Sequence, residues 1–214
     1  MATAAKISGG GHASGRGSTG TSIHYQHKNC KKPDGTWGYA NWRNMGDEIR
    51  KKIVAWDVAP GQDYFKELFR VSRYQIIWGG NYFDLPPSRN FIVWRKLTIS
   101  ESFSMAMAEY AWTNITGNAK VFEYAPQGRA GEARFHPTQK PVALYTWILK
   151  HYAKPGDKIL DTHVGSASSL IACRRAGFEY WVFEIDPTYY AEASARLARE
   201  CAQVNLADLL QPDK

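Results

Sequence analysis

An α/β fold, with helices on both faces of a sheet, is what this sequence predicts, and three observations carry the prediction. Residues Lys158 to Asp186, KILDTHVGSASSLIACRRAGFEYWVFEID, read as a buried strand, a sharp Gly/Ser turn, a helix and a second buried strand that ends in acid. The segments before this βαβ unit follow in the order helix, several strands, helix. Of the 214 residues 44% are hydrophobic, including eight Trp, twelve Tyr and nine Phe, which is enough for one sizeable core and too many for a disordered chain.

Residues 1–52 are expected to form a flexible basic leader and residues 53–214 the folded domain. Met1 to Gly20 is a low-complexity Gly/Ser/Ala stretch. Thr21 to Lys52 interleaves Tyr25, Trp37, Tyr39 and Trp42 with Lys28, Lys31, Lys32, Arg43, Arg50, Lys51 and Lys52. Aromatic rings stack on unpaired bases while cations take phosphates, so this mixture suits nucleic acid, although a loop packing its Trp side chains on the core explains it as well. The formal charge is +7; residues 1–52 hold nine Lys/Arg against three Asp/Glu, a net of +6, which leaves +1 for the rest. A basic leader beside a near-neutral domain points to an acidic polymer as partner.

Within the domain, Tyr64, Phe65, Leu68, Phe69 and Val71 recur at helical spacing over Gln62 to Val71. Tyr74 to Trp78 then reads as a strand ended by Gly79-Gly80. Phe91 to Trp94 and Val121 to Tyr124 are further short strands, with a turn at Gly117-Asn118. Thr138 is the expected N-cap of a helix that carries Pro141 in its first turn and an apolar face of Val142, Tyr145, Ile148, Leu149 and Tyr152. Pro155-Gly156-Asp157 turns into the first strand of the βαβ unit, and Pro187 opens a last helix. Cys30, Cys173 and Cys201 are too few and too scattered for a disulfide framework or a metal cluster, so a reducing cytoplasm and no metal are expected. No apolar run approaches the ~18 residues of a membrane span, and no hydrophobic signal segment opens the chain.

The strand ends narrow the ligand. In a βαβ unit a nucleotide lies across the carboxyl ends of the strands, where the backbone N–H groups of the helix start are free. The first strand ends in Asp161 and meets Gly165-Ser166-Ala167; the second ends in Glu184, 23 positions after Asp161. A carboxylate at that distance accepts both hydroxyls of an adenosine ribose. A dinucleotide's diphosphate favours G-x-G-x-x-G, which is absent here, and an acid at the turn would repel it. S-adenosylmethionine has no phosphate and carries a sulfonium and an ammonium group, so Asp161 suits it. An ordinary βαβ unit with solvated carboxylates, and a dinucleotide-dependent oxidoreductase, are the competing readings.

Some 20 residues upstream stands His136-Pro137-Thr138-Gln139-Lys140-Pro141. With the DTHVGSAS turn and Glu184-Ile185-Asp186, this chain resembles the amino-group DNA methyltransferases of the permuted (beta) order, in particular the small phage-type adenine-N6 enzymes. The resemblance runs from about residue 56 to 200 and includes Trp56-Asp57, YFKELFRVS at 64–72, WGGNYF at 78–83, Leu85-Pro86-Pro87-Ser88, Val93-Trp94 and Phe122-Glu123-Tyr124. It implies a Rossmann-like sheet in permuted order that transfers a methyl group from S-adenosylmethionine to adenine N6. The implied cofactor residues are Asp161, Thr162, Gly165 and Ser166 at the methionine end, with Thr138 and Lys140 in support and Glu184 on the ribose. The implied partner is double-stranded DNA with a flipped adenine, its phosphates met by Lys31, Lys32, Lys51 and Lys52. The oligomeric state is left open, a homodimer included.

Three departures from the family pattern stand out. Its turn commonly runs Gly-Ser-Gly where this chain has Ala167, whose Cβ is awkward if that position needs positive φ. His163 replaces a phenylalanine and reads as a packed or capping histidine. The catalytic Asp-Pro-Pro-Tyr is not found: in the family its Asp and a proline carbonyl accept hydrogen bonds from the adenine amino group while the Tyr stacks on the flipped base. Asp84-Leu85-Pro86-Pro87 resembles it but matches a separate family segment and reads as a structural turn. The chain is therefore expected to begin one strand after the motif, and a remnant that binds cofactor or DNA without turnover is the alternative to an active enzyme.

Overall fold

The computed structural model describes residues 2–6, 30–31, 37–38, 58–101, 106–127 and 134–202. In chain order the strands are β1 (Ala2–Lys6), β2 (Cys30–Lys31), β3 (Trp37–Gly38), β4 (Ile76–Trp78), β5 (Phe91–Arg95), β6 (Ala108–Thr113), β7 (Lys120–Glu123), β8 (Lys158–Asp161) and β9 (Glu179–Val182). The helices are α1 (Gln62–Val71), α2 (Val142–Tyr152), α3 (Ser168–Arg175) and α4 (Pro187–Ala202). Three strands form a parallel sheet in the order β1-β8-β9, and four form a mixed sheet in the order β4-β6-β5-β7. β1 lies alongside β4, so the two sheets meet there. β2 and β3 make a separate antiparallel pair.

Helices cover both faces of the mixed sheet, and β4 records this residue by residue. Successive strand side chains point to opposite faces, yet Ile76, Ile77 and Trp78 are all buried, at 3%, 0% and 1% exposure. Ile76 and Trp78 pack with Ile92 and Trp94 of β5 against Leu144, Tyr145, Ile148 and Leu149 of α2 and Ile171 of α3. Ile77 points the other way, joining Trp112 of β6 and Phe65 and Leu68 of α1. Each of these large side chains contributes about 1.5 to 3 kcal/mol by leaving water. A smaller cluster, Val164, Ala167, Leu170 and Ala193, fixes α4 onto the start of α3.

The predicted helices and the βαβ unit are present with ends shifted by up to three residues. The N-cap of α2 is Pro141 rather than Thr138, with no side-chain cap; the Thr138 hydroxyl is turned to His136 instead. β6 is an element that the sequence reading did not place. Its Ala-Glu-Tyr-Ala-Trp-Thr run has few β-branched residues, and it is a strand because β4 and β5 flank it on both sides. β1 was not anticipated either. Apart from β1, β2 and β3, the proposed leader 1–52 lies outside the described residues. Among the described residues no helix is long and apolar enough to cross a membrane, and no cluster of His, Cys, Asp and Glu is suited to a metal.

Candidate cofactor site

The turn between β8 and α3 is organised by Asp161. Its side chain is 2% exposed. One carboxylate oxygen accepts the His163 N–H at 3.0 Å, and the other accepts a short hydrogen bond from the Ser169 hydroxyl in the first turn of α3. The acid thereby ties the start of the turn to its end. Thr162 looks toward α1: its hydroxyl lies 2.6 Å from the Tyr64 hydroxyl and 3.0 Å from Nδ1 of His163, whose ring meets the Tyr64 ring edge-on. Burial pushes the Tyr64 phenol up to about 12, with the Asp161 charge adding to it against the hydrogen bond from Thr162. His163 is thus packed, as the sequence suggests. A cavity of about 40 Å³ lies beneath the turn, walled by Asp161, Ser169, Cys173, Tyr145 and Trp78. Burial and the nearby Asp161 push the Cys173 thiol up to about 12, which suits a packing role.

Gly165 is where distant parts of the chain converge. Its φ is +51°, and its N–H donates to Oε2 of Glu184 at 2.9 Å. A Cβ there would stand 3.2 Å from Nε2 of His136 and 3.3 Å from the neighbouring ring carbon, so the imidazole rests on the glycine. Two residues on, Ala167 has φ 62°, the one positive value at a non-glycine among the described residues. The Gly-Ser-Gly preference of the family therefore has a physical basis here, and this chain carries the strain. Arg196 of α4 reaches the same turn, donating to the Ser166 carbonyl at 2.6 Å and to the Ser168 hydroxyl at 3.0 Å.

The HPTQKP segment supplies the wall facing the turn. Nδ1 of His136 accepts the Thr138 N–H at 3.3 Å, which leaves the ring proton on Nε2, and the ring packs 4.3 Å from Tyr189. Lys140 is 5% exposed and turned inward, its ammonium 2.9 Å from Glu109 of β6 and over the Trp78 ring. Lys96, 7% exposed, holds the other oxygen of Glu109 at 2.8 Å and lies over Trp94. Burial alone would push the Glu109 carboxyl up; the Lys140 and Lys96 ammonium groups override it and hold it at about 2. Two cations therefore share one carboxylate under the loop.

Glu184 follows β9. Besides the Gly165 N–H, its other oxygen accepts the Asp186 N–H at 2.9 Å. A carboxylate has about four acceptor sites, so each oxygen keeps one lone pair for a ligand. Asp186 caps α4 through the Thr188 and Tyr189 N–H groups at 2.8 and 3.1 Å.

Of the residues singled out by sequence, Asp161, Thr162, Gly165 and Ser166 share one turn, Glu184 is hydrogen-bonded to it at Gly165, and Thr138 joins it through His136. Lys140 sits behind that wall in the ion cluster. Lys31 lies in β2, described as backbone; Lys32, Lys51 and Lys52 fall outside the described residues. Sequence reasoning missed Tyr64, Glu109 and Arg196 as site neighbours. Tyr64 and the site lie 98 positions apart, and no local pattern joins them. The Asp84 segment runs elsewhere: Asp84 is exposed, the Pro86 carbonyl accepts the Trp112 Nε1–H at 2.7 Å, and the Ser88 hydroxyl donates to Thr113. A groove of about 580 Å³ opens beside Pro86, Trp112 and Asn114, away from the turn.

Comparison with known proteins adds the following. The family model described as DNA methylase, of the N6/N4 type, matches residues 19–195. The type II methyltransferase M2.DpnII of Streptococcus pneumoniae is 37% identical over 65 residues, which are 30% of this chain and 24% of that protein. The aligned part is thus about a quarter of that relative. Among solved structures, the M1.HpyAVI complex with SAM is 19% identical with a TM-score of 0.46, covering 70% of this chain and 94% of that one. The cytosine-N4-specific PvuII DNA methyltransferase is 14% identical with a TM-score of 0.43, covering 57% and 63%.

Proposed function

The chain belongs to the DNA methylase family of the N6/N4 type, and from that premise we propose that it binds S-adenosylmethionine at the Asp161 to Ser168 turn and serves methyl transfer to adenine N6 in double-stranded DNA. The observation that carries this reading is the junction at Gly165, where the β8 turn, Glu184 after β9 and His136 of HPTQKP come into contact. The residues present fit the cofactor. The turn is lined by small side chains at 165–168, and two carboxylates, Asp161 and Glu184, set a negative potential suited to a cation. The bound cofactor supplies an electrophilic methyl group on sulfur.

In this reading Glu184 accepts the ribose hydroxyls with its remaining lone pairs, and Thr162, Gly165 and Ser166 flank the methionine end. Asp161 acts from below by holding the turn closed. Thr138 orients His136. Lys140 supports the site by fixing the HPTQKP loop to β6 through Glu109. Lys31, Lys32, Lys51 and Lys52 meet DNA phosphates, and the target adenine leaves the stack, because a paired base cannot present its amino group to a buried methyl donor.

One observation favours a second reading, binding of cofactor or DNA without turnover. The Pro86 carbonyl, in the Asp-Leu-Pro-Pro segment that resembles the catalytic motif, is already hydrogen-bonded to Trp112. That bond ties the segment to β6 on the α1 side of the sheet, away from the cofactor turn, and Asp84 beside it is exposed. Titration calorimetry with S-adenosylmethionine and with NAD, followed by tritiated methyl transfer to adenine-bearing and cytosine-bearing duplexes, tests the whole proposal. Binding of NAD alone overturns the cofactor, and label on cytosine N4 overturns the base.

A further inference from the structure

A buried alanine in the left-handed region persists only where its surroundings over-determine it. Ala167, at φ 62° and 0% exposure, is in that position at the head of α3. Its own N–H reaches the Val164 carbonyl at 3.0 Å, a turn that many loops share. What singles this turn out is a side chain from another helix, 29 positions away in sequence. One Nη1 of Arg196 donates to the carbonyl of Ser166 at 2.6 Å and to the hydroxyl of Ser168 at 3.0 Å, so its two acceptors bracket Ala167 on either side. The two serine hydroxyls also meet at 3.1 Å, and both residues are buried. Ala193, one helical turn before Arg196, packs on Ala167 and Leu170. The guanidinium is therefore held in place by α4 packing and is charged at every working pH.

We propose that Arg196 is a positioning residue for cofactor binding: it clamps the Ser166-Ala167-Ser168 backbone in the strained geometry that a glycine in the middle position would adopt unaided. The proposal rests on the reading that this turn holds the methionine end of S-adenosylmethionine. A glycine needs no such clamp, because positive φ costs it nothing. Ala167 and Arg196 should therefore be thermodynamically coupled, and coupled specifically toward the part of the ligand that faces the turn.

The test is a double-mutant cycle on the full chain with Arg196→Met, which keeps the length of the side chain and removes its donors, and Ala167→Gly. Calorimetric affinity for S-adenosylmethionine and for adenosine, and the urea midpoint, are read for all four proteins. Arg196→Met is expected to weaken S-adenosylmethionine about tenfold in the Ala167 background and less than about twofold in the Ala167→Gly background, while adenosine affinity changes less than about twofold in both. Arg196→Lys should recover part of the loss. Equal losses in the two backgrounds, or equal losses for S-adenosylmethionine and adenosine, overturn the clamp. Should Arg196→Met fail to fold, Arg196→Gln and Arg196→Lys carry the same cycle. If the unmutated chain binds no S-adenosylmethionine while the urea midpoints remain coupled, the cofactor reading fails and the clamp survives only as a fold element. Binding with additive cycles sinks the clamp alone.

Discussion

The backbone N–H of Gly165 and the carboxylate of Glu184 are hydrogen-bonded at 2.9 Å, which links the β8 turn to the end of β9 across 19 positions of sequence. One carboxylate thus closes the turn and, in the proposed reading, also meets the ligand. Removing it acts on both. Glu184→Ala is expected to weaken S-adenosylmethionine by about 1.5 to 3 kcal/mol, the range of a hydrogen bond to a charged group. Glu184→Gln keeps an acceptor for Gly165 and should lose roughly half as much. Titration calorimetry decides, and unchanged affinity in Glu184→Ala would sink the ribose assignment.

Backbone conformation makes opposite predictions two residues apart. Gly165→Ala places a Cβ 3.2 Å from the His136 ring at a φ of +51°, so it should cost about 1 to 2 kcal/mol from the backbone and more from displacing the imidazole. Ala167→Gly relieves the same kind of strain. Allowing for the greater unfolded freedom of glycine, it should stabilise by about 0.5 kcal/mol. Urea denaturation of the two variants checks the sign of each.

Much of this turn was legible in the sequence, because its information is local. Apolar runs ending in Asp161 and Glu184, with Gly165-Ser166-Ala167 between them, carry strand ends, turn and helix start within one stretch from Lys158 to Asp186. The strain at Ala167 was legible too, as a residue where a glycine was expected. What stayed hidden depends on contacts between distant segments. Tyr64 reaches Thr162 across 98 residues and Arg196 reaches Ser166 across 30. Lys140 was read as support for the methionine end, and its burial against Glu109 could not be read before β6, the strand that carries Glu109, was recognised as a strand. Asp161 read as an acid meeting the cofactor's cations, and its burial against Ser169 was not legible, because charge is visible in a sequence and burial is not.

The Lys96–Glu109–Lys140 cluster predicts an asymmetric response to mutation and to pH. Glu109→Gln leaves two buried ammonium groups without an anion and should cost about 3 to 5 kcal/mol. Lys96→Met leaves a matched pair and should cost much less. Since Glu109 is held at about 2 against an ordinary 4.5, the folded state favours its charged form. Its contribution is complete above about 4.5 and is lost as pH falls toward 2. Urea midpoints between about pH 6 and about pH 2.5 should fall more steeply for the wild type than for Glu109→Gln; parallel curves would show that the cluster does not govern acid stability.

DNA affinity should depend steeply on salt, each phosphate contact adding about 0.9 to the slope of log K against log salt. Neutralising Lys31, Lys32, Lys51 and Lys52 together is expected to flatten that slope by up to about 3.6 if all four are contacts. A quadruple variant with the wild-type slope would make the basic segment a solvated tail. Fluorescence anisotropy over a salt series is the measurement.

The last prediction separates binding from transfer. In the proposed reading the cofactor contacts come from residues 136–186, whereas moving a methyl group to an amino nitrogen needs acceptors that orient the amino hydrogens, an effect worth several kcal/mol of barrier. In Asp84-Leu85-Pro86-Pro87 the Pro86 carbonyl is hydrogen-bonded to Trp112, and the segment passes along the face of the sheet covered by α1, where Leu85 packs beside Trp112 and Phe65. Asp84→Ala should therefore change neither cofactor affinity nor methyl transfer by more than about twofold, a surface effect. The strand beside the cofactor turn is β1, parallel to β8 with Lys6 opposite Asp161. The end of β1 is therefore level with the start of the turn. The second reading, binding without turnover, predicts that the chain as it stands binds S-adenosylmethionine and transfers tritiated methyl groups to DNA at or near background. Converting Ile7-Ser8-Gly9-Gly10 to Asp-Pro-Pro-Tyr should raise transfer by on the order of a hundredfold or more without tightening the cofactor. Robust methylation by the unmodified chain, lost in Asp84→Ala, would instead make Asp84-Leu85-Pro86-Pro87 the working acceptor.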